Sequence, residues 1–239
     1  MPPIITPPAV RVLSAGAAQA LIEGLGALFC DQTGATLQLA YGPVGVTREA
    51  VLRGSPCDVV ILSEAIAAQL VRSGHLLDET PAPLGKVHTA ICMREGAMAP
   101  KIPTPIELAE SLLAADEICI ADPDRATAGI HLTRVLQELA IYDQVRDRVS
   151  VHPSGAAVAR AVASSTAGHV LGCAQVTEIL ATAGADLVGP LPDDLDLATT
   201  YTAATATRVE QPDLARSFIG LLTGPDAAAA RRDAGFLNS

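Results

Sequence analysis

Tryptophan is absent from this 239-residue chain, and aromatic residues make up only 3% of it. The interior must therefore be filled by Ala, Val, Leu and Ile. With 49% hydrophobic and 18% charged residues the chain has enough of them to fold rather than stay disordered. Positive charge is also scarce: 16 Lys and Arg stand against 26 Asp and Glu, a net charge of −10. Nucleic-acid binding needs a basic face to neutralise phosphates, and this balance argues against it. An anionic ligand has to be held by local donors against the overall field. Cysteine pairing is missing too. Cys30, Cys57, Cys92, Cys119 and Cys173 are odd in number, lack CxxC spacing and sit mostly in apolar runs. Buried reduced thiols and a reducing compartment follow. His75, His88, His152 and His169 are scattered without metal-ligand spacing. There is no GxxxxGK[ST], no HExxH and no GxSxG, so no metal or cofactor is expected. No run of 18 apolar residues suggests a membrane span. The proline-broken opening MPPIITPPAVRVLSAG lacks a basic segment, which predicts a cytoplasmic protein, or a periplasmic one where a signal peptide has been removed.

What is present is alternation of strands and helices. The stretch that organises the chain is 118–139, ICIADPDRATAGIHLTRVLQEL. It reads as a buried strand, a polar loop and a helix with Ile130, Val135, Leu136 and Leu139 at helical spacing, Thr127 being the natural N-cap. Upstream, strands are expected at 10–13, 36–40 and 58–62. They alternate with helices, the first carrying Leu21, Leu25, Leu28 and Phe29 on its apolar face. Downstream, strands are expected at 87–93, 149–152 and 169–174, an extended segment at 198–205, and closing helices at 213–222 and 225–233. This order predicts an α/β protein with mostly parallel sheets in two lobes. Residues 1–84 plus 191–239 form the first lobe and 85–190 the second, with two crossings and a ligand cleft between them.

Small and hydroxylated residues recur where strands end. They are Ser14, Gly16 and Ala17; Gly42, Val44 and Gly45; Ser63; Thr127, Ala128 and Gly129; Ser154 and Gly155; and Gln175. Hydroxyls, an amide and helix-start N–H groups can seat an oxyanion without a full counter-charge. Gly, Ser and Thr also populate tight connections for purely conformational reasons.

The segments LSAGAAQAL at 13–21, GPVG at 42–45, VLRGSPCDVVIL at 51–62, ADPDRATAGIHLTRVLQELAI at 121–141, LGCAQVTEI at 171–179, VGPLP at 188–192 and LTGPDAAAARRDAGF at 222–236 carry a resemblance. Together they resemble the molybdate-type periplasmic binding proteins, two-lobed receptors of the type II class. The chain departs from true molybdate binders in having Gly42-Pro43-Val44-Gly45 where they carry a serine-rich loop, and Gln175 near their tyrosine. In those features it is similar to the aconitate isomerase branch of the fold. That resemblance implies a carboxylate ligand and an allylic proton shift in a small unsaturated di- or tricarboxylate. The alternative is the solute-binding component of a molybdate-type ABC importer, whose permease would then be a partner, or a sensor of a small oxyanion or organic acid.

Such an isomerisation needs a base, a route for reprotonation and anion donors. His131, in the first helical turn after Gly129-Ile130, and Glu178, just after Gln175, are the candidates for catalysis. Each has a plainer reading, as a capping histidine and as a first-turn carboxylate, and Glu64 after Ser63 shares the latter. Arg125 suits a substrate carboxylate through its two-pronged donors, or is an exposed loop arginine. Tyr41 can donate from the second turn or merely cover the sheet end.

Overall fold

The computed structural model describes residues 7–77 and 81–238, so the first prolines of the opening segment lie outside it. The first strand–helix units are β1 (Ala9–Ala15), a 3₁₀ turn, α1 (Gln19–Thr33), β2 (Thr36–Gly42), α2 (Val44–Leu52), β3 (Val59–Ser63) and α3 (Glu64–Arg72). The long β4 (Ala82–Arg94) leads to α4 (Pro105–Ala114), β5 (Glu117–Ala121), α5 (Thr127–Glu138), α6 (Tyr142–Val145) and β6 (Val149–His152). Then come α7 (Gly155–Ser164), β7 (Val170–Gln175), α8 (Val176–Leu180), β8 (Ala185–Pro190), β9 (Ala198–Thr205), α9 (Pro212–Thr223) and α10 (Ala228–Asp233).

The strands run in the order β2-β1-β3-β9-β4-β7-β5-β6, with β8 added on β4. The outer pairs, β1 with β2 and β3 and β5 with β6 and β7, are parallel, as strand–helix alternation predicts. The strands that travel between the lobes are antiparallel. β4 pairs with β9 through residues 82–88 and with β7 through residues 89–93, so one strand belongs to both sheets. Its partner β9 also borders β3. The apolar interior divides accordingly. One core gathers buried residues from Val10 to Val87 and from Tyr201 to Phe236, and the others lie between Ala90 and Leu195. Two lobes linked by β4 and β9 result.

Burial explains the pattern. Val59, Val60, Ile61 and Leu62 are enclosed on both faces, as a continuous apolar run in a covered sheet requires. The first helix inserts Leu21, Ile22 and Phe29, and Phe29 meets Phe218 of α9 edge-on at 5.0 Å between ring centres. Leu28, expected on that apolar face, is instead 44% exposed. The tail thus folds back on the first lobe and supplies part of its core. All five cysteines are unpaired, and all but Cys30 are buried. No helix among the described residues is long and apolar enough to cross a membrane.

Two local features differ from the sequence reading. The segment at 185–190 forms β8, a strand that the Gly189-Pro190 pair conceals in the sequence; its pairing with β4 is irregular between Ile91 and Cys92. The N-cap of α5 is Ala126, not Thr127. Asp122 is the reason: its Oδ1 accepts from the Asp124 and Arg125 amides, and its carbonyl accepts from Ala126 N–H. That turn carries the chain one residue less far before the helix begins, and Thr127 becomes its first helical residue.

Gly129 fixes how closely α5 approaches β5. A Cβ on it would lie 2.2 Å from the Ala121 carbonyl oxygen and 2.6 Å from that of Asp122. Gly129→Ala is therefore expected to lower unfolding stability by about 1–3 kcal/mol in urea titrations, because backbone rather than a flexible side chain must yield. Gly24→Ala, within α1 where nothing lies near an added methyl group, should instead raise stability by about 1 kcal/mol. Equal responses at the two positions would refute this account of the α5–β5 packing.

Candidate functional site

Five helical segments begin around one point between the lobes. From the first lobe come the 3₁₀ turn at Gly16 that runs into α1, and α2 at Val44; from the second come α5 at Thr127, α7 at Gly155 and α8 at Val176. Each follows a strand end, directly for the 3₁₀ turn and α8 and after a turn of one to five residues for the others, so their starts point at the gap with the positive ends of their dipoles. No side chain caps α2 or α5. The space they enclose is small, about 20 Å³, enough for roughly one water-sized group.

Ten of the residues expected from sequence line this cavity: Gly16, Ala17, Gly42, Val44, Thr127, Ala128, Ser154, Gly155, Gln175 and Glu178. A neighbouring groove of about 610 Å³ collects Gly45, Ser63, Arg125 and His131, and shares Val44 and Thr127 with the cavity. Between the two, Gly45 N–H donates to the Arg125 carbonyl at 2.9 Å, and Arg125 lies 3.9 Å from Glu49. These contacts join the lobes across the mouth. His131 is tied by Nε2 to the Leu195 carbonyl at 2.7 Å, which orients its ring at the groove wall.

Three expected residues line neither space. The Ser14 hydroxyl is buried and donates to the Ala15 carbonyl, while its own carbonyl accepts from Thr47. Gly129 is consumed by packing against β5. Tyr41 is half-buried, its phenol has no partner, and burial followed by the charge of Glu23 pushes its pKa well up. Glu64 is an exposed first-turn residue of α3.

Sequence reasoning missed Ala15, Pro43, Ala121, Ala126 and Tyr201 among the cavity residues. The four small or apolar ones carry no signal. Tyr201 had one: it is the single large ring in a strand otherwise made of Thr and Ala. Its phenol, fully buried, faces the Thr127 side chain, and burial together with Glu178 drives its pKa far above the ordinary range.

Glu178 dominates the electrostatics. It is only 8% exposed, its Oε1 accepts from Ala156 N–H at 3.1 Å, and its Oε2 accepts from Gln175 N–H at 3.3 Å. The carboxylate lies against two glycines: a Cβ on Gly16 would fall 2.7 Å from Oε1 and one on Gly155 1.9 Å from Oε2. Desolvation raises its pKa to about 7, outweighing the two amide bonds and the attraction of Arg160. Behind it lies another space of about 100 Å³, lined by Gln19, Glu23, Arg160, Thr177 and again Gly16 and Glu178. Glu178 thus stands between the cleft cavity and a polar space that reaches exposed residues. The Thr177 hydroxyl there is buried without a partner.

Gln175 Nε2 donates to Thr89 Oγ1 at 3.1 Å, and its Oε1 is buried with no partner. A further surface cleft of about 430 Å³, lined by Arg11, Cys57 and Arg208 among others, shares no residue with this site.

A family model described as bacterial extracellular solute-binding protein matches residues 10–237. An aconitate isomerase of Pseudomonas sp. is 30% identical over 235 residues, spanning 95% of this chain and 86% of that protein. The molybdate-binding protein ModA of Rhodobacter capsulatus is 23% identical over 223 residues, spanning 89% and 82%. The periplasmic molybdate-binding protein of Azotobacter vinelandii has the same fold, with a TM-score of 0.80 at 20% identity over 96% of this chain and 99% of that one. The sulfate-binding protein SubI of Mycobacterium tuberculosis follows at 0.76 and 18%, over 96% and 86%.

The raised pKa of Glu178 has a thermodynamic consequence. Its ordinary value is 4.5 and its folded value about 7, so between them the folded protein holds a proton that the unfolded chain has lost. The associated stabilisation is complete below the lower value and disappears as pH rises through the upper one. Comparing wild type with Glu178→Gln by urea unfolding, the wild type should lose about 3 kcal/mol relative to the variant between pH 4.5 and 8. A constant difference across that range would show that Glu178 does not titrate there.

Proposed function

Because this chain belongs to the bacterial extracellular solute-binding protein family, we propose that it turns a solute-binding cleft to catalysis: it moves a double bond within a small unsaturated di- or tricarboxylate. The observation that carries this reading is Glu178, a buried carboxyl with a pKa near 7 at the cavity wall. In a site that only holds an oxyanion, such a group opposes the ligand whenever it is ionised. As an acid–base catalyst it is matched to neutral pH. The similarity to an aconitate isomerase supports the same reading.

The reaction needs no outside reagent. Ionised Glu178 takes the allylic C–H proton, and the electron pair spreads into the conjugated carboxylate. The resulting charge is met by the first-turn amides of α5, by the Gly155 N–H at the start of α7, and by the Thr127 and Ser154 side chains. Glu178, now protonated, returns the proton at the other end of the allylic system. The polar space behind it offers water a way to exchange that proton. Gly42, Pro43 and Val44 present no hydroxyl to the cavity, which suits one face of a planar carboxylate better than a tetrahedral oxyanion. Five unpaired cysteines suit a cytoplasmic setting for this chemistry.

The second reading, a receptor for a small oxyanion or organic acid, is favoured by the family and by the likeness to ModA. Its partner is then an ABC permease.

Incubation of the protein with trans-aconitate in D₂O, followed by NMR, distinguishes the two. Migration of the double bond with deuterium uptake is expected, with kcat/KM rising with pH to a plateau above about 7. Glu178→Gln should cut kcat by a factor on the order of 100 or more. His131→Gln should leave kcat within about threefold, since the His131 ring is engaged with Leu195. The opposite outcome for the two variants would transfer the role of base to His131. Unchanged substrate accompanied by thermal stabilisation would favour the receptor.

A further inference from the structure

The cavity and the groove outside it differ in kind. The cavity has room for about one water-sized group and is lined by neutral donors apart from Glu178. A polycarboxylate seated there by one carboxylate must extend past one of two walls. The wall at Gly16 and Glu178 leads to the space holding Arg160 but also Glu23, where two carboxylates oppose an anion. The wall at Val44 and Thr127 leads to the groove of about 610 Å³, lined by Arg48, Arg125, Arg134 and His131, with Asp124 the only acid among its lining residues. Arg125 is already beside Glu49. Arg48 and Arg134 have no ion pair or side-chain hydrogen bond among the described residues. Arg48 sits on α2 in the first lobe and Arg134 on α5 in the second.

We infer that Arg48 and Arg134 form an outer carboxylate subsite, one cation from each lobe, which makes the cleft selective for ligands carrying a second carboxylate beyond the one in the cavity. This rests on the polycarboxylate reading above and adds the residues that set ligand length and charge. Two unpaired cations on facing lobes repel as the cleft closes, and a monoanion confined to the cavity leaves that repulsion in place. A second carboxylate between them reverses it and converts the same pair into a clasp, through the forked donors of each guanidinium. In a protein of net charge −10, this groove is also where local charge favours a polyanion.

Propane-1,2,3-tricarboxylate, which has no double bond to move, and sulfate serve as probes in titration calorimetry at several salt concentrations. Arg48→Gln and Arg134→Gln are each expected to weaken tricarboxylate binding by roughly tenfold and to flatten its salt dependence, while leaving sulfate within about twofold. Arg134→Lys, which keeps the charge, should recover part of the loss. Unchanged ligand-free melting temperatures separate these effects from misfolding. Tricarboxylate binding that is indifferent to both arginines would overturn the outer subsite alone. Binding of sulfate without any binding of tricarboxylate by the wild type would overturn the polycarboxylate reading and the subsite with it.

Discussion

The site depends on one carboxylate lodged where only glycine leaves room for it. Glu178 reaches from the start of α8 to Gly155 on its own lobe and to Gly16 on the other, and it takes amides from α7 and from its own helix start. A larger residue at Gly155 would collide with Oε2, so the position of α7 and the position of the acid are a single constraint. Because Gly16 belongs to the first lobe, the carboxylate also touches the surface against which the cleft shuts. Burial there removes Glu178 from water, which raises its pKa. In the conformation described, contact with the first lobe and the raised pKa of Glu178 go together.

The charge distribution follows a related logic. A protein of net charge −10 attracts an anion only through local arrangement. Here the inner cavity is lined by helix starts and hydroxyls, whose partial charges need little desolvation, and the full positive charges stand outside it in the groove. Burying an arginine in the inner cavity would lower the pKa of Glu178. Keeping the cations one compartment away preserves both the attraction for anions and the acid's raised pKa.

Much of this was legible before any coordinates. Periodicity placed the strand–helix units, and β9 at 198–205 has the bounds expected from its extended pattern. Small residues at strand ends pointed to Gly16, Thr127, Ser154, Gly155 and Gln175, which meet in one cavity although they lie far apart in the chain. What escaped was whatever depends on the third dimension. β8 is masked by a Gly-Pro pair that local rules assign to a turn. Ser14 looked like a ligand donor but spends its hydroxyl on the adjacent carbonyl, a choice set by burial rather than residue type. Tyr201 comes from a strand whose role is to connect lobes, and nothing local marks its phenol as facing Thr127. The two cavities that meet at Glu178 have no sequence signature at all.

A two-lobed binding fold requires little to become an enzyme of this kind. It already gathers helix starts around a gap between two lobes, which covers orientation and charge stabilisation. Missing from a pure receptor is a group able to gain and lose a proton at neutral pH within reach of the ligand. A hydroxyl or an amide cannot serve, and an exposed carboxylate is ionised throughout that range. A carboxyl buried beside the seat meets the requirement, and burial is also what makes it unwelcome to a simple oxyanion. The same desolvation that weakens the site as a receptor would equip it for proton transfer, and under the proposed function Glu178 is the group that carries it.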